Sequence, residues 1–203
     1  MNLPNLRRSL AYRITLPVVG ILSRSGITPN ALTFINLALN IVAAGVIAKG
    51  YLLLGGVLVL ISGLFDLLDG AVARFTNQST KFGAILDSTV DRMSEAAILA
   101  GLLVWYTRQQ ASLEEVGLEI VLVLIIAVLV GSFLVSYVRA RAEGLGLQCQ
   151  IGLFTRAERV IVLAIGLLIN QVLIALCILL VFVSITVVQR LVYLRKQATN
   201  RGD

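Results

Sequence analysis

The sequence predicts an all-α integral membrane protein, with six transmembrane helices preceded by an amphipathic interfacial helix at the N-terminus. Three observations support this fold class. Of the 203 residues, 58% are hydrophobic, and the mean hydropathy is +0.94, whereas an ordinary soluble domain is about half apolar. The apolar residues form stretches close to the roughly 20 residues that a helix needs to cross the hydrocarbon. Lysines and arginines collect in segments that would lie on one side of the membrane.

Six apolar stretches are the candidate spans. They run from about Ala31 to Ala48, Leu52 to Val72, Phe82 to Val104, Gly117 to Val138, Ala157 to Ile169, and Val172 to Tyr193. The turns are indicated by Gly50, Gly55 and Gly56 after the first stretch and by Asn170-Gln171 before the last. The fifth stretch is short, and its first half counts as helix only if Glu158 and Arg159 belong to it. We expect one membrane domain over residues 1–203, with the six-helix bundle over 31–196.

The first 24 residues differ from the spans in their pattern. Apolar residues recur at helical intervals, and arginines lie off that apolar stripe. This predicts an amphipathic helix over 1–24 in the membrane interface; a plain packing helix or a frayed leader is the alternative. Because arginines interrupt the apolar residues, no cleavable signal peptide is evident. We therefore expect a multi-pass protein of the cell (plasma) membrane with a cytoplasmic N-terminus.

The positions of the charged residues predict the orientation. The chain has 17 lysines and arginines and 11 acidic residues. With both termini inside, most of the basic residues fall in cytoplasmic segments, which are enriched in them in membrane proteins. The opposite side keeps Lys49 and Arg108. No basic stripe is interleaved with aromatic residues on a soluble face, so we expect no nucleic-acid partner.

The residue types present limit the chemistry. The chain has no histidine, which removes the commonest general base and the commonest zinc ligand. Cys149 and Cys177 have neither metal-binding nor redox spacing and are expected to be packing residues. Carboxylates must therefore carry any catalysis.

Ionisable side chains interrupt the second and third apolar stretches. They are Asp66, Asp69, Asp87, Asp91, Arg92 and Glu95. A charge at the bilayer centre costs about 2.5–3.5 kcal/mol, so such a group marks a candidate functional site. The aspartates are spaced by three residues in one stretch and by four in the other, which places each pair on one face of its helix. Four of the five aspartates of the chain lie within the 26 residues from Asp66 to Asp91.

Four neighbouring carboxylates need cations, because like charges brought together in a low dielectric favour protonation. Oxygen ligands without histidine or cysteine suit Mg²⁺ or Mn²⁺. The pattern favours a two-metal site for a diphosphate, since Mg²⁺ is commonly held by a few carboxylates plus phosphate oxygens. Gly70 and Gly83 leave room beside the acids for a phosphate or another helix. The alternatives are a structural ion pair, glycines that only pack helices, and a cation transporter whose aspartates form an ion pathway.

The fixed positions of this segment form a longer motif. It is Asp66-x2-Asp69-Gly70-x2-Ala73-Arg74-x8-Gly83-x3-Asp87-x3-Asp91. In this motif the chain resembles the CDP-alcohol phosphotransferases at every fixed position, and the resemblance covers nearly the whole chain. It implies six transmembrane helices with an N-terminal interfacial helix, usually as a homodimer. It also implies an enzyme that transfers a phosphatidyl group from CDP-diacylglycerol to an alcohol and releases CMP.

The resemblance implies a role for each matching residue. Asp66, Asp69, Asp87 and Asp91 would be the metal ligands, and Asp91 would also be the catalytic base that deprotonates the acceptor hydroxyl. The CDP-lipid would contact Asn30, Ala31, Leu32, Thr33, Gly70, Arg74 and Thr80. Two cations on the diphosphate, together with the fixed charge of Arg74, would stabilise the developing anion. A snorkelling interfacial arginine is the alternative for Arg74.

A second polar cluster concerns the acceptor. Arginines surround one predicted cytoplasmic loop, in Ser136-Tyr137-Val138-Arg139-Ala140-Arg141-Ala142-Glu143 and in Arg156-Ala157-Glu158-Arg159. Guanidinium groups suit a phosphate dianion, although the positive-inside rule explains some of them. Both runs are similar to those of phosphatidylinositol phosphate synthases, which use inositol 1-phosphate. The resemblance implies that Ser136, Arg139, Arg141, Arg156 and Arg159 bind the acceptor phosphate, at an active site facing the cytoplasm. Phosphatidylglycerophosphate synthase and archaetidylinositol phosphate synthase are the alternatives.

Overall fold

The computed structural model describes residues 28–75, 80–109, 117–149 and 151–201. Within these ranges the fold is all-α, as the sequence predicts. The helices are α1 (Pro29–Ala48), α2 (Leu52–Phe75), α3 (Lys81–Arg108), α4 (Leu118–Gly144), α5 (Arg156–Leu168) and α6 (Val172–Arg201). Each helix corresponds to one predicted apolar stretch. The predicted interfacial helix over 1–24 lies outside the described residues.

Among the described residues, three helices are long and apolar enough to cross a membrane. They are α1 with a mean hydropathy of 2.1, α4 with 3.0, and the part of α6 over Val172–Thr199 with 2.9. The apolar part of α2, Leu52–Asp66, is shorter. The helix α5 has 13 residues, and α3 carries charged residues in its first half. The chain is therefore an α-helical membrane protein.

Threonines precede the three helices that begin at one end of the bundle, which we call the site end. Thr28, before α1, accepts a hydrogen bond at 3.3 Å from the backbone N–H three residues on. Thr80, before α3, does the same at 2.9 Å. Before α5, the N–H of Thr155 donates to Glu158 at 2.8 Å in a capping box. These bonds satisfy polar groups that the first helical turn leaves unpaired, so they fix where the helices start.

Short turns join α1 to α2 and α5 to α6 at the opposite end, which we call the far end. The turn between α1 and α2 contains Gly50 with a φ of +91°, a conformation that suits glycine. Asn170-Gln171 joins α5 to α6, as predicted. The prediction that Gly55 and Gly56 also mark the first turn is wrong, because both lie within α2. A Cβ at Gly56 would lie 3.0 Å from a leucine Cβ of α5, so this glycine lets the two helices pack closely.

The helices pack as a ring. Around it, α1 contacts α2 and α3, α2 contacts α5, α5 contacts α6, α6 contacts α4, and α4 contacts α3. Buried apolar side chains fill the interior, among them Ile47, Leu99, Leu102, Leu167 and Leu176. This arrangement brings the last part of α2, the first part of α3 and the start of α5 together at the site end.

A buried polar cluster of Asn36, Asn40 and Ser62 joins α1 to α2. Asn40 Nδ2 donates to the backbone oxygen of Asn36 at 2.9 Å and to Ser62 Oγ. Ser62 Oγ in turn donates to Asn36 Oδ1 at 2.6 Å. Ser62 lies one helical turn before Asp66, so the cluster ties the helix that carries Asp66 to α1.

Candidate active site

Three carboxylates converge at the site end of the bundle. Asp66 comes from α2, and Asp87 and Asp91 come from α3. One oxygen of each side chain lies within 4.8 Å of the others, and all three residues are partly buried. The convergence follows from the order of the helices, because α2 ends and α3 begins at the same end of the bundle and both pack against α1.

Asp69 is the fourth predicted ligand. Its backbone belongs to α2, but its side chain lies outside the described part of the structure. The same holds for the side chain of Arg74 and the surroundings of Gly70. The roles assigned to these three residues therefore stay predictions.

The donor set of the three described carboxylates fits a hard divalent cation. It consists of oxygen atoms only, and the chain has no histidine that would favour a softer metal. Mg²⁺ and Mn²⁺ prefer such ligands and complete their coordination with water or phosphate oxygens. Because the three residues are only partly buried, a phosphate group can approach them. The cluster can therefore hold a divalent cation together with a substrate oxygen.

Arg156, the first residue of α5, lies against this cluster. Its Nη1 donates a hydrogen bond to Asp66 Oδ1 and lies 2.7 Å from Asp91 Oδ1. Within the described residues Asp91 Oδ1 has no hydrogen-bond partner, so the second contact is an ion pair without hydrogen-bond alignment. Three carboxylates face one guanidinium group, which leaves the cluster negative and able to accept more positive charge.

A second ion pair, between Glu95 and Arg159, lies one helical turn farther into the bundle. Arg159 donates from Nε and Nη2 to the two oxygens of Glu95 at 2.7 and 2.8 Å. The exposed fraction is 4% for the Arg159 side chain and 10% for Glu95, against 20% for Arg156 and 21% for Asp91. This second pair is the more buried of the two, and its bidentate geometry satisfies both charged groups.

A cavity of about 580 Å³ adjoins the carboxylates. Its lining includes Asp87 and Asp91 of α3, Ser136 and Arg139 of α4, Arg156 and Arg159 of α5, and Arg190 of α6. Four of the five residues predicted for the acceptor phosphate therefore surround one cavity. The fifth, Arg141, is exposed on α4 and is not among the described lining residues. Arg139 forms an exposed ion pair with Glu143 at 2.8 Å.

Arg190 is a cavity residue to which the sequence analysis assigned no role. It is buried, and it donates from Nε to the backbone oxygen of Ile151 at 3.0 Å and from Nη1 to that of Val135. These bonds connect α6 to α4 and to the segment before α5. A signal for Arg190 was available, because it interrupts the sixth apolar stretch. The positive-inside rule is enough to explain a basic residue near the cytoplasmic end of this stretch, so the sequence alone gives Arg190 no binding role.

Five of the residues predicted to contact the CDP-lipid, residues 30–33 and Thr80, lie where α1 and α3 begin. Of residues 30–33, the first two are partly exposed, whereas Leu32 and Thr33 are buried. Asn30 Oδ1 lies 3.5 Å from the position that a Cβ on Gly83 would occupy. The N–H of Gly83 donates to Thr80 Oγ1. Asn30 and Thr80 are therefore close to each other across the two helix starts.

Known proteins match this chain over most of its length. A family model described as CDP-alcohol phosphatidyltransferase matches residues 26–194. The phosphatidylinositol phosphate synthase of Mycobacteroides abscessus is 38% identical over 162 residues, which are 79% of this chain and 71% of that protein. The archaetidylinositol phosphate synthase of Pyrococcus horikoshii is 36% identical over 182 residues, which are 89% of this chain and 90% of that protein.

Solved structures show the same fold. The crystal structure of Mycobacterium tuberculosis phosphatidylinositol phosphate synthase with CDP-DAG bound has a TM-score of 0.78 and 33% identity, and the match covers 90% of this chain and 94% of that one. The structure of the same enzyme in complex with manganese and citrate has a TM-score of 0.79, with 89% and 88% covered. These matches confirm the family resemblance drawn from the aspartate motif.

Proposed function

The chain belongs to the CDP-alcohol phosphatidyltransferase family and is a transferase, and on this premise we propose that it makes phosphatidylinositol phosphate. The reaction transfers the phosphatidyl group of CDP-diacylglycerol to inositol 1-phosphate and releases CMP. One observation carries the proposal: the carboxylate cluster lies beside a cavity that several arginines line. Carboxylates suit the cations of a diphosphate donor, and arginines suit an acceptor that bears a phosphate.

The metal part of the proposal is a pair of divalent cations, Mg²⁺ or Mn²⁺, held by Asp66, Asp69, Asp87 and Asp91. Two findings support it: the described carboxylates lie close enough to share a cation, and a solved relative contains manganese. When bound to the diphosphate, such cations polarise the phosphoryl group and stabilise the departing CMP.

Asp91 is the proposed base. It belongs both to the carboxylate cluster and to the cavity wall, so it is accessible from the side of each reactant. Its carboxylate takes the proton of an inositol hydroxyl, and the hydroxyl oxygen forms a bond to the phosphorus that bears diacylglycerol. The bond between that phosphorus and the bridging oxygen breaks, and CMP leaves with that oxygen.

The acceptor phosphate is proposed to bind Ser136, Arg139 and Arg156, with Arg190 added from the structure. These residues come from three helices and line one cavity, and guanidinium groups bind phosphate oxygens in pairs. A free polyol would give these guanidinium groups no phosphate to bind. The names of two relatives, phosphatidylinositol phosphate synthase and archaetidylinositol phosphate synthase, support an inositol phosphate over glycerol 3-phosphate.

The CDP group is proposed to lie where α1 and α3 begin, against Asn30, Ala31 and Thr80. Gly70 and Arg74 of α2 would contact it from the aspartate motif. This position follows from the closeness of Asn30 and Thr80 across the two helix starts. The M. tuberculosis structure with CDP-DAG bound supports CDP-diacylglycerol as the donor.

The membrane arrangement is part of the proposal. Six helices span the plasma membrane as one domain, the segment 1–24 lies in the interface, and the protein is a homodimer. The site end faces the cytoplasm, because Arg139, Arg141, Arg195 and Lys196 lie at that end and cytoplasmic segments are enriched in such residues. A cation transporter is disfavoured, since Arg156 lies directly against the aspartates that would conduct the ion.

Acceptor identity can be tested with the purified full-length protein in CDP-diacylglycerol micelles with Mg²⁺. Inositol 1-phosphate, free inositol and glycerol 3-phosphate are supplied separately, and both CMP release and the headgroup of the lipid product are measured. We expect turnover with inositol 1-phosphate and little with the other two acceptors. Equal turnover with free inositol, or turnover with glycerol 3-phosphate alone, would show that inositol 1-phosphate is not the specific acceptor. Cation flux in liposomes without CDP-lipid would favour the transporter instead.

A further inference from the structure

Two ion pairs connect α3 to α5 on matching faces of the helices. The site pair joins Asp91 to Arg156 at 2.7 Å, and the buried pair joins Glu95 to Arg159 at 2.7 and 2.8 Å. Asp91 and Glu95 are four residues apart on α3, and Arg156 and Arg159 are three apart on α5. Residues at these intervals lie above one another on one side of a helix. The two pairs are therefore successive contacts along one helix–helix interface.

The arginines of the two pairs differ in their other partners and in their burial. In the site pair, the arginine also contacts Asp66, and both of its acidic partners belong to the carboxylate cluster that can hold a cation. In the buried pair, the arginine is 4% exposed and both oxygens of its partner accept a hydrogen bond from it. An arginine neutralised in this way attracts a phosphate weakly. Separating it from Glu95 would also leave a buried carboxylate unpaired, which is strongly unfavourable.

From this contrast we infer that Glu95 and Arg159 are positioning residues: they hold α5 against α3 so that Arg156 stays between the carboxylates and the acceptor cavity. Arg159 then acts on the acceptor through Arg156 and does not bind the acceptor phosphate. This inference rests on the proposed function, and it changes the role that the sequence resemblance gives to Arg159. A cation at Asp91 weakens the hold of Asp91 on Arg156, and the buried pair keeps α5 in place when that happens.

A double-mutant cycle separates positioning from direct binding. The variants are Glu95→Gln, Arg159→Gln and the combination of both, and the KM for the acceptor, the KM for CDP-diacylglycerol and kcat are measured for each. Positioning predicts that each single variant raises the acceptor KM to a similar extent, by about tenfold. It also predicts that the double variant is no worse than the poorer single variant, because either change breaks the same contact. The KM for CDP-diacylglycerol should change little.

Direct binding by Arg159 predicts a different result. Arg159→Gln would then raise the acceptor KM while Glu95→Gln left it unchanged or lowered it, and this outcome would overturn the inference. Effects that multiply in the double variant would also overturn it. So would a lower unfolding temperature with unchanged KM values, because that result would give the pair a purely structural role.

Conservative variants and a control variant complete the test. Arg159→Lys and Glu95→Asp retain the charges but lose the bidentate geometry, so they report on the pair if the neutral variants fail to fold. Arg108→Gln removes an exposed arginine at the far end of α3 and is expected to leave every KM unchanged. The wild-type protein alone reports on the proposed function. If it prefers another acceptor, the proposed function fails, and the same cycle with that acceptor still tests the positioning pair.

Discussion

The two ends of the bundle are held together by different contacts. At the site end, ion pairs join the helices, as between Asp91 and Arg156 and between Glu95 and Arg159. At the far end, backbones approach each other with little side chain between them. A Cβ added to Gly101 of α3 would lie 2.5 Å from the backbone oxygen of Ala44 of α1. Close backbone packing therefore holds α1 against α3 at the far end, whereas ion pairs hold α5 against α3 beside the cavity at the site end.

Contacts of graded polarity let a small membrane enzyme hold several charges in a low dielectric. The Asn36–Asn40–Ser62 cluster lies between the two ends and is polar but uncharged. Along α1 and α2, the contacts thus change from close packing at the far end, through the hydrogen bonds of the cluster, to a carboxylate of α2 that needs cations at the site end. The free energy of unfolding should depend mainly on the close packing and the hydrogen bonds. Catalysis should depend mainly on the carboxylates.

The largest expected effect is at the site end. Asp91→Asn removes the proposed base and is expected to lower the rate of CMP release by a factor of about 10²–10⁴. The unfolding temperature should be retained, because the substitution preserves the size of the side chain. CDP-lipid binding should fall much less than turnover, because Asp66, Asp69 and Asp87 remain to hold a cation. The measurement combines turnover, lipid binding and thermal unfolding of the purified protein. Full activity in the variant would remove Asp91 from the role of base.

The next largest effect is expected at the far end. Gly101→Ala forces α1 and α3 apart, because the added Cβ meets backbone atoms that cannot rotate away. We expect a loss of about 1–3 kcal/mol in the free energy of unfolding. Gly45→Ala is the matched control, since a Cβ at Gly45 meets no described atom within 4 Å. Equal stability of the two variants, measured by thermal unfolding in detergent, would show that the far end is not closely packed.

A smaller effect is expected between the two ends. Ser62→Ala removes the hydroxyl by which α2 bonds to Asn36 and Asn40 of α1. Hydrogen bonds between helices in membranes average about 0.6 kcal/mol, so we expect a loss of that order in the free energy of unfolding. Ser132→Ala is the matched control, because Ser132 is fully buried but its hydroxyl has no hydrogen-bond partner among the described residues. If Ser132→Ala destabilises as much, the cluster has no special part in joining the helices.

The sequence predicts the helices and much of the site end. Charges and turn residues bound the apolar stretches, so the helix positions could be predicted to within a few residues at most ends. The site end could be predicted as well, because one helix ends and the next begins at the same end of the bundle. Asp66, Asp87 and Asp91 converge for that reason.

The contacts that the sequence did not predict depend on residues distant along the chain. Gly56 resembles a turn residue until the neighbouring helix is known, and it proves to be a packing contact with α5. Arg159 resembles a phosphate ligand until its partner Glu95, 64 positions away, is known. Arg190 resembles an ordinary basic residue of a cytoplasmic segment under the positive-inside rule, which assigns it no partner. Local patterns specify the helices, but partners across the bundle require the fold.

We propose that carboxylates from α2 and α3 jointly hold divalent cations for the CDP-lipid. Mn²⁺ binding to the purified protein, followed by electron paramagnetic resonance with and without CDP-diacylglycerol, tests it most directly. We predict that the wild-type protein binds Mn²⁺ more tightly when the lipid is present. Asp66→Asn and Asp87→Asn, one on each helix, should each weaken Mn²⁺ binding by at least about tenfold. Unchanged Mn²⁺ affinity in both variants would contradict the claim.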